Sequence, residues 1–316
     1  MDALIGSTGF VGGSLLRQRD FDARFDSRSI HKANGQTFDT VVCAAAPGSM
    51  FEANRFPDRD REKVGSLITS LSGLKARRFV LVSTIAVLAD FAADDEGSAV
   101  FQTDLAYGAN RRALEVFCTE TFSDCLIVRL PALFGSGLKK NFLFDILNPM
   151  PSMLGEAALD ALRGDLAPDL AAVVTGLYAL DPTINLFVID REALDASGRR
   201  PDLDNAVRRL GRSAIQFTNP DSRFQYYGMD RLWADISLGL DHGLETLHLA
   251  PPPLSAGEVF QAVTGETMPD TGARRHQEDM RTRHAGLWTL TGSYIAEPRD
   301  VLDQLKAFSL TQGAGA

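Results

Sequence analysis

The sequence predicts an α/β protein: a doubly wound parallel sheet joined to a smaller, mostly helical lobe. Three observations predict it. Over the first half of the chain, short apolar runs alternate with amphipathic stretches, the pattern of parallel strands linked by crossover helices. The first run, Met1-Asp2-Ala3-Leu4-Ile5, breaks into a glycine turn and then at once into a helix. Beyond about residue 150 the alternation fades and helical runs replace it.

Composition sets the outer limits. A chain of 316 residues can bury one large core or two lobes. Its 45% hydrophobic and 23% charged residues are those of an ordinary soluble globular protein. A net charge of −9 argues against general binding to nucleic acid or to an anionic membrane, since phosphate attraction needs a basic face. No apolar run approaches the ~20 residues needed to cross a bilayer, and the first strand begins at residue 2 with no signal-peptide pattern before it. A cytoplasmic protein is expected. Cys43, Cys118 and Cys125 sit in apolar runs and read as reduced core thiols. The histidines show no metal-ligand spacing, so no metal is expected.

Taken in order, the turn Gly6-Ser7-Thr8-Gly9-Phe10-Val11-Gly12 comes first. Gly6 permits the tight bend, Gly9 lets backbone N–H groups approach a pyrophosphate, and Gly12 lets the helix pack on the strand. The helix N-terminus then faces the anion with its dipole. This is a Rossmann-type nucleotide turn, with Gly6, Thr8, Gly9, Phe10, Val11 and Gly12 expected at the cofactor. Residues 23–26 read as the second strand, whose tip normally meets the adenosine ribose. There Asp26 favours NAD, while Ser27 and Arg28 favour the 2′-phosphate of NADP; the reading leans to NADP, with NAD as the alternative.

The strand at residues 40–46 ends in Ala44, Ala45 and Ala46, small enough for a flat cofactor ring to pass, and Pro47-Gly48-Ser49 loops over the site. An amphipathic helix is expected at 58–74, with Val64, Leu67, Ile68 and Leu71 on one face. The buried strand 79–82 runs into Ser83 and Thr84, which places Thr84 at the carboxyl end of the sheet, where such folds bind ligands. Asp104 is the expected cap of the next helix, on which Tyr107, Arg111, Leu114, Glu115 and Cys118 share a face. A strand at 126–131 ends in Pro131, and Lys139-Lys140-Asn141 precede an apolar helix at 142–147. Helices are expected at 154–162 and 170–177, a return strand at 224–230, a helix at 232–240, a strand at 247–250, a helix capped by Ser255 and a last helix at 298–308. The domain reading is a dinucleotide-binding domain of 1–140 with 222–247, and a substrate-binding lobe of 141–221 with 248–316.

The glycine turn, Ser83-Thr84, Tyr107 with a cation four residues on, and Arg129-Leu130-Pro131 followed by Phe134-Gly135 together resemble the extended short-chain dehydrogenase/reductase superfamily, in its NAD(P)-dependent epimerase/dehydratase branch. Specific motifs carry the resemblance over about residues 1–145, and general layout over 222–316. It implies an NAD(P)-dependent oxidoreductase or epimerase acting on a nucleotide-diphosphate sugar or a related carbonyl or hydroxyl compound. Tyr107 is then the acid/base that exchanges a proton with the substrate. Thr84, and more weakly Ser83, orients the substrate oxygen, and Ser83 and Pro131 flank the cofactor. A phenol with a free pKa of about 10 needs a nearby cation to act as a base. In the family that cation is a lysine that also bonds the nicotinamide ribose; here the position holds Arg111, which keeps the charge in a bulkier planar fork.

Glu115, one turn further along, is expected to pair with Arg111. The readings open are a working Tyr–Arg pair, a slow or specialised enzyme, and a catalytically degenerate regulatory or scaffold protein that binds cofactor. The family's 4,6-dehydratases carry an acid pair after the threonine, where this chain has Ile85-Ala86, so elimination of water is not expected. Lys139, Lys140 and Asn141 stand where members of the family often meet the substrate diphosphate, with Arg223 or Arg231 as a further candidate. A homodimer is plausible on the same resemblance.

Overall fold

The computed structural model describes residues 1–91 and 93–313. The described chain divides into two compact units, residues 1–138, 223–254 and 277–308 in the first, and 139–222, 255–276 and 309–313 in the second.

In chain order the elements of the N-terminal stretch are β1 (Asp2–Ile5), α1 (Phe10–Gln18), β2 (Ala23–Phe25), β3 (Thr37–Cys43), α2 (Met50–Arg55), α3 (Pro57–Leu71), β4 (Lys75–Thr84), α4 (Ala106–Thr121), β5 (Cys125–Leu130) and β6 (Ala132–Phe134). There follow α5 (Phe142–Leu147), β7 (Met153–Leu154), α6 (Glu156–Asp165), α7 (Pro168–Leu177), β8 (Tyr178–Asp181), β9 (Leu186–Ile189), α8 (Arg191–Ala196) and α9 (Arg200–Arg209). The C-terminal third adds β10 (Arg223–Phe224), β11 (Tyr226–Gly228), α10 (Leu232–Asp241), β12 (Thr246–His248), β13 (Leu254–Ser255), α11 (Ala256–Thr264) and α12 (Pro298–Gly313).

The first unit is built on a six-stranded parallel sheet in the order β2-β1-β3-β4-β5-β12. The chain leaves β1 for β2 on one side and crosses back to β3 on the other, so the strand order reverses between β1 and β3. Parallel sheets of this kind bind ligands at the carboxyl ends of the strands beside such a reversal. Strand alternation supplies both faces. Val41, Cys43, Phe79 and Leu81 meet Val64, Leu67 and Leu71 of α3 and Leu114 and Cys118 of α4. On the other face Leu4, Val42, Val80 and Val128 meet Leu15 of α1 and Leu232 and Ile236 of α10. Burial pushes the Cys43 thiol up to about 11, which suits an inert core residue.

The second unit packs α5 to α9 with a small antiparallel sheet, β7-β9-β8, around its own core of leucines and valines from α6, α7 and α9. α11 begins with a capping box in which Ser255 and Glu258 satisfy each other's backbone N–H groups, as Ser255 promises in the sequence.

Several local expectations are corrected. The residue that caps α4 is Leu105, which contributes no side-chain bond; the Asp104 and Leu105 N–H groups donate instead to Gln102 Oε1, at 2.8 and 3.1 Å. The return strand is two short pieces, β10 and β11, and β11 pairs with β6 outside the main sheet. The hairpin β8–β9 lies where only punctuation was read. Asp181 accepts the Thr183 N–H at 2.8 Å, and Asn185 takes the left-handed conformation at φ 51° that closes the turn. Residues 248–254 and 277–308, read with the second lobe, fall in the first unit.

Candidate active site

The glycine turn follows β1 directly. Gly6 has φ 88°, and a Cβ there would stand 2.5 Å from the Ala44 carbonyl oxygen, so both its conformation and its neighbour exclude a side chain. A Cβ on Gly12 would lie 2.1 Å from the Gly6 oxygen, which is how closely α1 sits on the turn. Gly9 differs, because its Cβ would stand 3.4 Å from the nearest atom of the chain, a tight but possible contact. The fold requires Gly6 and Gly12; Gly9 leaves an open surface with Thr8 exposed beside it. α1 has no side-chain cap and no acidic residue in its first turn, so among the described residues the Phe10, Val11 and Gly12 N–H groups at its start meet no capping side chain. This cradle fits a pyrophosphate, which would supply the missing acceptors and the negative charge the helix dipole favours.

At the tip of β2 the carboxylate of Asp26 is already used. Its Oδ1 accepts from the Arg28 and Ser29 N–H groups at 3.0 and 2.9 Å and from the Ser29 hydroxyl at 2.6 Å. These bonds, that from the Ser29 side chain first, hold its pKa below the usual carboxylate value. Arg28 is exposed and forms no ion pair among the described residues, while Ser27 beside it is also exposed. Ala44, Ala45 and Ala46 follow β3, and Pro131 is buried between β5 and β6.

Thr84, Tyr107 and Arg111 come together. Thr84 ends β4, two strands from β1, or about 10 Å across the sheet at the usual spacing. Its side chain accepts the Ala86 N–H at 3.2 Å and lies near enough to the phenol of Tyr107 to lower its pKa. Tyr107 is placed by two features the sequence reading passed over. Gly108 lets α4 touch the turn after β4, since a Cβ there would lie 2.0 Å from the Ala86 oxygen. Asn54 of α2 accepts the Tyr107 N–H at 2.9 Å. A glycine directly after the tyrosine, inside a helix that it weakens, was the available signal for the first.

The guanidinium of Arg111 lies over the Tyr107 ring, 4.1 Å from its centroid. It is 2% exposed and donates to Asp60, to the Pro47 carbonyl and, at 3.3 Å, to the Tyr107 carbonyl. The expected Arg111–Glu115 pair is absent. Glu115, on the same helix, takes a bidentate pair from Arg129 at 3.0 and 2.7 Å, a bond from Arg112 at 2.9 Å and the Ser83 hydroxyl at 2.6 Å. Arg129 offers a planar fork that fits a carboxylate, and β5 packs its side chain beside α4. The Ser83 hydroxyl is thus committed to the interior. Burial raises the Tyr107 pKa above its ordinary value, with Arg111 and the nearby Thr84 hydroxyl opposing that shift and Asp60 adding to it. A phenol in this setting keeps its proton at neutral pH.

Of the expected substrate contacts, Arg223 is exposed on β10 of the first unit, and Lys139, Lys140 and Asn141 belong to the second. Asn141 caps α5, its side chain accepting the Phe144 N–H at 3.1 Å from a backbone at φ 110°. Among the described residues no group of three or more His, Cys, Asp or Glu side chains is placed to hold a metal, and no helix is long and apolar enough to cross a membrane.

No protein-family model matches the chain, and no curated protein sequence does. Solved structures do. A dTDP-4-dehydrorhamnose reductase from Bacillus anthracis, in complex with NADP, aligns at TM-score 0.59 and 13% identity over 98% of this chain and 97% of its own. A UDP-N-acetylglucosamine 4-epimerase from Methanobrevibacter ruminantium, in complex with UDP-N-acetylmuramic acid, aligns at TM-score 0.61 and 11% identity over 100% and 98%. A dTDP-4-dehydrorhamnose reductase from Clostridium acetobutylicum aligns at 0.57 and 16% over 99% and 100%. At such identities the likeness is one of fold, and it extends over nearly the whole of each chain.

Proposed function

We propose that this chain, which has the fold of those extended short-chain reductases and epimerases, is an NADP-dependent oxidoreductase or epimerase acting on a nucleotide-diphosphate sugar or related carbonyl compound. The observation that carries the reading is that Tyr107, with Arg111 over its ring, is brought by the close approach of Gly108 to the Ala86 carbonyl to the Thr84 end of β4, in the same unit as the glycine cradle. Gly6, Thr8, Gly9, Phe10, Val11 and Gly12 would hold the pyrophosphate, Ser27 and Arg28 the ribose 2′-phosphate, and Ala44, Ala45, Ala46 and Pro131 the remainder. The engagement of Asp26 in its own turn beside an exposed Arg28 supports NADP over NAD. Bound nicotinamide supplies or accepts the hydride.

The chain's own residues handle the proton. Thr84 orients the substrate oxygen, and Tyr107, held protonated by burial, donates to that oxygen as negative charge develops on it. A site whose acid is protonated at rest favours carbonyl reduction among the reactions open to it. Lys139, Lys140, Asn141 and Arg223 are the candidates for the substrate's diphosphate. Purified protein should bind NADPH, and Tyr107→Phe should abolish turnover of a nucleotide-sugar ketone while leaving NADPH binding within about twofold. Full activity in Tyr107→Phe would reject the assignment.

One observation favours a second reading, a cofactor-binding protein without turnover: Arg111 meets the Tyr107 ring rather than its oxygen. Arg111→Lys separates the two, since a gain of activity from near zero supports degeneracy and a loss shows arginine to be the working residue.

A further inference from the structure

Asp60 has no part in the sequence motifs, yet it is a charged residue of the first unit only 5% exposed. It stands on α3 and faces α4, where its Oδ2 accepts from Arg111 Nη1 and, at 2.8 Å, from Asn110 Nδ2. The other Arg111 nitrogen with a partner, Nη2, is taken by the Pro47 carbonyl, and the buried Nε has no hydrogen-bond partner among the described residues. A guanidinium so tethered has little freedom. Its planar fork is held by acceptors from α3 and from the loop after β3, and its flat face is left to the Tyr107 ring at 4.1 Å.

We propose that Asp60 is a positioning residue for Tyr107: it fixes the charge of Arg111 against the face of the ring instead of at the phenol oxygen. This rests on the reading of Tyr107 as the proton donor. A cation at the oxygen would stabilise the phenolate directly, as a hydrogen-bond donor; a cation over the ring acts only through space. Asp60 also brings a negative charge into the same cluster and offsets part of the cation's effect. The charges that act on the phenol are Arg111 from α4 and Asp60 from α3, while β4 contributes the neutral Thr84 hydroxyl and α2 the neutral Asn54. Burial outweighs the through-space pull of Arg111, which Asp60 partly offsets, so the phenol stays protonated and is poised to give a proton rather than to take one.

Asp60→Asn tests this, because an amide oxygen can still accept from Arg111 while the charge is gone. The readout is the tyrosinate absorbance of each protein titrated with pH, with the signal of its Tyr107→Phe counterpart subtracted to isolate one of the five tyrosines. Asp60→Asn should titrate at least about half a pH unit below the unaltered protein, as expected when a nearby like charge is removed. The double variant Asp60→Asn with Arg111→Gln replaces the ion pair by two amides that can bond each other. It should titrate above the unaltered protein and keeps the test open if the single variant does not fold. An Asp60→Asn titration at or above that of the unaltered protein, or a double variant indistinguishable from it, overturns the proposal. Neither result depends on turnover, so a failed substrate assignment and a failed positioning role are told apart; in an active enzyme the same shift should appear in the pH profile of kcat.

Discussion

At the residue scale, the glycines of the first turn separate folding from binding. Gly12→Ala would push a methyl group to 2.1 Å from the Gly6 oxygen, so either helix or turn must move; a loss of about 1–3 kcal/mol by urea denaturation is expected, along with cofactor affinity. Gly9→Ala, at 3.4 Å, should cost less than about 1 kcal/mol of stability yet weaken NADPH binding at least about tenfold. Equal losses of stability in the two variants would refute this division. The spacing of Gly6 and Gly12 was legible in the sequence because each answers a local backbone demand. Thr84 could be placed at a strand end from the sheet pattern, whereas Tyr107 came only with the resemblance to a known family. The partner of Arg111 was not legible. Helical spacing proposes Glu115, but the pairing is settled by which strand and helix lie alongside, and those are Asp60 from a helix 51 residues earlier in the chain and Arg129 from β5.

At the scale of elements, regular strands and helices of the first half were readable from their apolar period, whereas β8 and β9 were not. Their pairing in a hairpin depends on a turn built from Asp181 and Asn185, a feature that apolar periodicity does not report. Within the second unit α5 carries a further consequence of burial. The Asp145 carboxyl is pushed up to about 7 because burial outweighs the attraction of Arg191. Its pKa is above that of the unfolded chain, so the folded state holds the proton more tightly, and stability falls as pH rises from about 4 through about 7. Asp145→Asn should therefore match the unaltered protein only below about pH 4, be ahead of it already at pH 5, and exceed it by about 2 kcal/mol at pH 8, a figure reduced from the full linkage value because the residue is partly exposed. Parallel denaturation curves at the two pH values check it, and an unchanged difference between them would assign the shift elsewhere.

For the whole molecule, each compact unit is assembled from three separated stretches of sequence, an arrangement no composition boundary betrays. Binding should respect the units and not the order of the chain. NADPH at a hundredfold its Kd should add about 2.7 kcal/mol to stability, and hydrogen exchange should place the new protection in residues 1–138 together with distant parts of 223–254 and 277–308. Protection confined to 139–222 would contradict a cofactor cradle after β1. The strand order has a further consequence for biosynthesis. β1 to β5 are all synthesised by residue 130, but the strand that closes the open side of β5 is β12, at Thr246–His248. Until the ribosome has delivered that segment, the nascent chain carries an unpaired parallel edge at Ile127, Val128 and Arg129, flanked by apolar neighbours. Such an edge is a template for pairing with another chain. Ribosome stalling or truncation between residues 139 and 245 should thus yield aggregates, and a chaperone would be needed longest over that interval.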